Sequence, residues 1–188
     1  MQHLVLASSS PRRKELLTNL GISFEVSSSS IEEIVDPTLS PEKVVMTLAE
    51  QKALDVARRY PHAYVVGADT IVTKDSILLG KPRDEQDAFR MLQSLSGQTH
   101  SVLTGVTIVY NGKANSFYVE TEVTFWPLSE VDIYSYIQSG EPLDKAGSYG
   151  IQGLGSLFVR EIKGDYFSVV GLPLSRLVRE LKQFGFQC

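Results

Sequence analysis

Cysteine is almost absent from this sequence: Cys188 is the only one in 188 residues. No intramolecular disulfide can form, so the fold must rest on its core, and a reducing compartment is the expected setting. Long apolar runs are also missing; none approaches the roughly 18–20 residues that a membrane-spanning helix needs, and no membrane partner is expected. The opening Met1-Gln2-His3-Leu4-Val5-Leu6 has neither the basic segment nor the long apolar segment of a signal peptide, which makes the cytoplasm the expectation. Histidine is scarce. His3, His62 and His100 show no zinc-ligand spacing and no HExxH, and there is no GxSxG elbow or Cys–His pair to support covalent catalysis. Positive charge is outnumbered, 18 Lys and Arg against 22 Asp and Glu, for a net charge of −4. That balance disfavours a nucleic-acid partner but not a small anion held by a few local cations.

What is present is the composition of a soluble globular protein, 43% hydrophobic and 21% charged, long enough to bury a core. A single domain over 1–188, with room for two lobes, is expected. Leu4–Ala7 reads as a short buried strand. Ser10 offers a helix N-cap with Pro11 in the first helical position and Gly21 as the stop. Phe24–Ser28 reads as a second strand, and Ser40-Pro41 opens a long helix to about Tyr60. Ala63–Val72 is β-branched and apolar, a strand buried on both faces. A helix starting near Asp84 aligns Ala88, Phe89, Leu92 and Leu95, and Gly97 ends it. Two strands, Ser101–Tyr110 and Ser116–Phe125, flank the hairpin signal Asn111-Gly112. Ser129 caps a helix closed by Gly140. A glycine-rich loop follows at 144–155, then a strand pair around Lys163-Gly164-Asp165 and a last helix after Pro173. The pattern predicts an α/β fold with a mixed sheet.

Several residues are candidates for chemistry. Ser8, Ser9 and Ser10 precede a helix whose first turn carries Arg12, Arg13 and Lys14. Helix N-termini attract anions, and cations there oppose the helix dipole unless an anion lies between them. A capped helix with solvated basic residues fits the segment equally well. Asp69 interrupts an apolar stretch, where a carboxylate is costly unless paired, metal-bound or catalytic; alternatively, the strand ends at Gly67 and Asp69 caps a turn. Lys52 falls on the apolar stripe of Val45, Leu48 and Val56, so it either snorkels to solvent or points at a phosphate. Lys81 sits in the rigid turn Gly80-Lys81-Pro82. The 144–155 loop holds four glycines in twelve residues, which would let backbone N–H groups approach a ligand, and its Ile151 and Leu154 call for burial. Glu32 and Glu33 are an acidic pair, solvated unless one reaches a metal. Basic side chains, carboxylates and glycine-rich backbone together suit metal-assisted hydrolysis of a phosphoanhydride.

Eight segments, in order along the chain, resemble the Maf family of nucleoside triphosphate pyrophosphatases: Leu6–Arg13, Gln51–Ala53, Gly67–Thr70, Gly80–Pro82, Leu95–Gly97, Asp144–Gly147, Gly150–Gly153 and Val170–Pro173. The resemblance implies an inosine-triphosphatase-like fold, an elongated mixed sheet flanked by helices, with two lobes and a central cleft. It implies conversion of a nucleoside triphosphate and water to the monophosphate and pyrophosphate, with Mg²⁺ or Mn²⁺ as the divalent cation. By the family pattern Asp69 is the proton acceptor, and Ser8, Arg13, Glu33, Lys52 and Lys81 match positions that serve the phosphates or the metal, the latter with Asp69. Arg12, Thr70 and Gln152 match the trio of the subfamily acting on dTTP and UTP; the sister subfamily acting on 7-methyl-GTP has Trp, Gln and Glu instead. The resemblance also leaves room for a homodimer, and for a nucleotide-binding regulator of septum formation with little catalysis.

Overall fold

The computed structural model describes residues 2–36 and 38–187; Cys188 lies outside the described residues. The elements run β1 (Leu4–Leu6), α1 (Pro11–Asn19), β2 (Glu25–Val26), α2 (Pro41–Ala57), β3 (Tyr64–Lys74), β4 (Ile77–Leu79), α3 (Glu85–Leu95), β5 (Thr99–Tyr110), β6 (Lys113–Phe125), α4 (Glu130–Gln138), β7 (Val159–Lys163), α5 (Tyr166–Val170) and α6 (Leu174–Gln183). The strands form one seven-stranded mixed sheet in the order β2-β1-β3-β5-β6-β7, with β4 paired to β3. β1 is parallel to both β2 and β3, while β3–β4 and β6–β7 are antiparallel. This is the mixed α/β architecture that the sequence pattern predicts.

The chain divides into two compact units, residues 1–69, 104–119 and 171–188 in one, and 70–103 and 120–170 in the other. In the first unit, Leu4, Val5, Leu6, Val65 and Val66 are fully buried, which is why these short segments read as continuous apolar runs. Helix α2 packs on this sheet with almost no side chain between. A Cβ on Gly67 would lie 2.4 Å from the Ala49 carbonyl oxygen, and one on Gly105 2.4 Å from that of Val45. Only glycine allows backbone to approach backbone so closely. The Asn111-Gly112 turn has positive φ at both residues, 49° and 75°, the pattern of the type I′ hairpin.

The second unit is built on a cluster of Leu92, Leu95, Phe125, Ile133, Tyr136, Tyr149 and Phe158. Helix α4 opens with a full capping box between Ser129 and Asp132, and Asp84 caps α3 through a 2.7 Å bond from the Asp87 N–H. Three features depart from the sequence reading. The β3–β4 hairpin turns on Asp75 and Ser76, both at positive φ, without the Asn-Gly or Asp-Gly pair that would announce it. The strand expected after Asp165 is instead the short helix α5. Asp165 accepts a bond from the Phe167 N–H, and Ser168 Oγ donates to the Asp165 carbonyl, a local closure that overrides the β-propensity of Phe167, Val169 and Val170. Finally, the glycine-rich stretch folds into 3₁₀ turns at Glu141–Asp144, Ala146–Ser148 and Gly153–Phe158.

Candidate active site

The close seating of α2 determines what its side chains can reach. Ala53 packs against Gly67, so Lys52, one residue earlier, faces the β3 residues just beyond that contact. Lys52 Nζ lies 2.5 Å from Asp69 Oδ1 and 2.9 Å from Glu33 Oε1. The Lys52 and Asp69 side chains are only 17% and 15% exposed, while Glu33 is about half exposed. Lys52 therefore does not snorkel to solvent, and Asp69 lies within β3 rather than capping a turn at its end. One ammonium bridges two carboxylates.

Glu33 lies in a segment, 27–36, without helix or strand, so side chains of α2 must hold it. Gln51 does so on both sides of one residue: Oε1 accepts from the Ile34 N–H at 3.2 Å and Nε2 donates to the Ile34 carbonyl at 2.7 Å. One turn further, Asp55 accepts from Ser29 Oγ at 2.9 Å and from the Ser30 N–H at 3.4 Å. The positions 51, 52 and 55 share one helix face, and together they seat the acidic segment.

Parallel β1 and β3 point the same way, and β1 leads directly into the serine loop. Ser8 is buried; its Oγ accepts from the Ser10 N–H at 3.2 Å and from Arg13 Nη1 at 3.3 Å. Arg13 Nε donates to the Gly171 carbonyl at 2.7 Å. These two bonds fix the plane of the guanidinium. Burial pushes the Arg13 pKa below its usual value; the charges of Asp69 and Glu33 oppose that fall, and Arg12 adds to it. Arg12, Arg13, Glu33 and Asp69 thus share one electrostatic neighbourhood. The helix is capped by Ser10, whose Oγ accepts from the Arg13 N–H at 3.5 Å, the outer limit for such a bond. Glu32 and Lys14 are exposed.

Thr70, Lys81 and Gln152 belong to the second unit. Thr70 follows Asp69 in β3 and is partly buried, Lys81 is exposed, and Gln152 is half-buried. The backbone beside Lys81 is pinned where the Gly80 carbonyl accepts from the Gly147 N–H at 3.0 Å. In the glycine-rich loop Ile151 is buried as expected, but Leu154 is 51% exposed. Several of the loop's amides are already in use. Leu154 N–H and Gly155 N–H donate to the Glu141 carboxylate at 3.1 and 3.3 Å, and Gly150 N–H donates to Tyr136 Oη at 3.1 Å. The anion that this loop holds is a side chain of its own unit.

The donor set also bears on a metal. Asp69 and Glu33 are hard oxygen donors brought together on either side of Lys52 Nζ, and two carboxylates completed by phosphate oxygens and water suit Mg²⁺ or Mn²⁺. Among the described residues no group of three or more His, Cys, Asp or Glu forms a complete cage. The residues fit a substrate-shared ion.

The family model described as Maf-like protein matches residues 3–184. The chain belongs to the Maf family. A relative from Bacillus pumilus, named dTTP/UTP pyrophosphatase, is 57% identical over 185 residues, covering 98% of each chain. A relative from Bacillus anthracis with the same name is 58% identical over 185 residues, covering 98% of this chain and 97% of its own. Among solved structures, a HAM1 protein from Coxiella burnetii aligns with a TM-score of 0.54 at 17% identity, covering 97% of this chain and 100% of that one. That likeness is one of fold, and it agrees with the inosine-triphosphatase-like sheet that the family resemblance implies. Within this Maf chain, the sequence alone assigns no role to Gln51, Glu141, Tyr136 or the Gly171 carbonyl. Gln51 and Gly171 did lie inside the motifs Gln51-Lys52-Ala53 and Val170–Pro173. Glu141 and Tyr136 lay outside every motif and carried no signal.

Proposed function

We propose that this Maf chain hydrolyses dTTP and UTP to the nucleoside monophosphate and pyrophosphate. The observation that carries the reading is the Lys52 ammonium bridging Asp69 and Glu33, in a chain nearly 60% identical to proteins named for that reaction. Arg13 and Ser8, with Lys81, take the phosphates; the fixed guanidinium plane suits a paired grip on two phosphate oxygens. Water attacks the α-phosphorus, the bond to the bridging α–β oxygen breaks, and pyrophosphate leaves. Asp69 accepts the water proton. Its Oδ1 is held by Lys52, which aims the carboxylate, and Oδ2 is the proton acceptor. Lys52 and Arg13 offset the charge that builds on the leaving group, so positioning and electrostatics supply most of the rate. Asp69 and Glu33 would hold a divalent cation, Mg²⁺ or Mn²⁺, which when bound neutralises phosphate charge.

Arg12, Thr70 and Gln152 select the base. An amide both donates and accepts, which matches the adjacent carbonyl and N–H of uracil and thymine. This chemistry suits removal of unwanted pyrimidine nucleotides from the pool. Incubation with each nucleoside triphosphate in Mg²⁺ or Mn²⁺, with products identified, tests the proposal. TMP or UMP plus pyrophosphate is expected. Orthophosphate as first product, a preference for 7-methyl-GTP, or tight nucleotide binding without product over hours would overturn it; the last outcome would favour the regulator of septum formation.

A further inference from the structure

Gln152 sits in a loop with no long-range strand pairing, yet a base-reading amide must be held to within a fraction of an ångström. The second unit contains a device suited to that task. The Glu141 carboxylate accepts from Leu154 N–H through Oε2 and from Gly155 N–H through Oε1. It also accepts from the Tyr136 hydroxyl at 3.0 Å, and that hydroxyl in turn accepts from Gly150 N–H. The loop is therefore stapled two residues before Gln152 and two and three residues after it. Burial pushes the Tyr136 phenol well above its ordinary pKa, so the hydroxyl stays protonated and donates.

The glycines fit this arrangement rather than a ligand. Gly153 has φ +67°, and a Cβ there would lie 2.9 Å from Glu141 Oε2. A Cβ on Gly155 would lie 2.2 Å from the Gly150 carbonyl and 2.8 Å from Tyr136 Oη. Each glycine leaves room for the staple to close. From this geometry we infer that Glu141, acting with Tyr136, is a positioning residue that fixes Gln152 and so sets the choice of base. The inference rests on Gln152 reading the base, as proposed above.

The test compares kcat and KM for UTP and CTP in Glu141→Gln, Tyr136→Phe and Gln152→Ala. In Glu141→Gln an amide NH₂ faces backbone N–H donors, and Tyr136→Phe removes only the oxygen that receives Gly150. Loss of such charge-assisted or buried bonds typically costs enough to lower the UTP-to-CTP ratio of kcat/KM about tenfold in each staple variant, chiefly through KM for UTP. A structural role alone would reduce turnover of every nucleotide equally and leave the ratio intact; that result overturns the inference. Should Glu141→Gln fail to fold, Tyr136→Phe carries the same test. If Gln152→Ala collapses the ratio while both staple variants keep it, the positioning role alone fails. If Gln152→Ala keeps the ratio, the base-reading role fails and this inference with it, while hydrolysis of UTP itself stands.

Discussion

Lys52 and Asp69 lie 2.5 Å apart, Nζ to Oδ1, because Ala53 and Gly67 let helix and strand touch. Small residues at one contact thus place two charged residues at the next. Asp69→Asn keeps the shape and one oxygen acceptor for Lys52 but cannot take a proton. Turnover of dTTP should fall by roughly 10²–10⁴-fold, the usual worth of a general base, with the circular dichroism spectrum unchanged. Near-native turnover by the Asn variant in metal-containing buffer would rule Asp69 out as the base.

Arg13 donates through Nε to the Gly171 carbonyl and through Nη1 to Ser8. Lysine has one nitrogen and cannot span both acceptors while also meeting a phosphate. Arg13→Lys should therefore raise KM for UTP about tenfold or more, the effect of losing one to two charge-assisted bonds. Steady-state kinetics would show it. An unchanged KM would mean that the guanidinium serves the fold alone.

The sequence made the first unit legible because its signals are local. Apolar runs mark β1 and β3, Ser10-Pro11 and Ser40-Pro41 mark helix starts, and Asn111-Gly112 marks the hairpin. The charged candidates could be singled out because each breaks an apolar pattern, as Lys52 and Asp69 do. Their pairing was not readable, since it depends on Gly67 and Gly105 admitting α2 to the sheet. The second unit was less legible. Four glycines read as a cradle for a ligand, yet the Gly150, Leu154 and Gly155 amides serve Tyr136 and Glu141, partners that only the folded chain brings near. Phe167-Ser168-Val169-Val170 has strand composition but is closed into a helical turn by Asp165 and Ser168.

Gln51 clasps Ile34 by both its N–H and its carbonyl, and Glu33 is the next residue. Gln51→Leu keeps the volume and removes both bonds. Each such bond is worth about 0.5–1.5 kcal/mol, so the segment should detach without global unfolding. The expected result is a several-fold drop in kcat/KM, a higher Mg²⁺ requirement, and a melting temperature within a few degrees of the parent. A variant with the parent's metal dependence would show that Glu33 is held without the clasp.

His100 ties the stability of the second unit to pH. It is 3% exposed, its Nε2 lies 2.7 Å from the Tyr149 hydroxyl, and its Nδ1 has no hydrogen-bond partner among the described residues. Burial, reinforced by the charge of Lys74, pushes its pKa from 6.5 down to about 4. Phe125 and Tyr149 pack edge-on against the ring, and neither offers a charge to compensate a proton. The folded state thus resists protonation while the unfolded chain accepts it near 6.5. As pH falls below about 6.5 the unfolded state binds more protons, so stability declines, and the loss is complete below about 4. A depression of that size corresponds to roughly 3 kcal/mol. Replacing both partners, His100→Phe with Tyr149→Phe, removes the titrating ring and the hydroxyl that would otherwise be orphaned. Urea unfolding at pH 7.5 and pH 4.5 should show the parent losing more stability than the double variant, with the gap opening between pH 6.5 and 4. Parallel losses in the two proteins across that window would mean that His100 does not govern the acid limb.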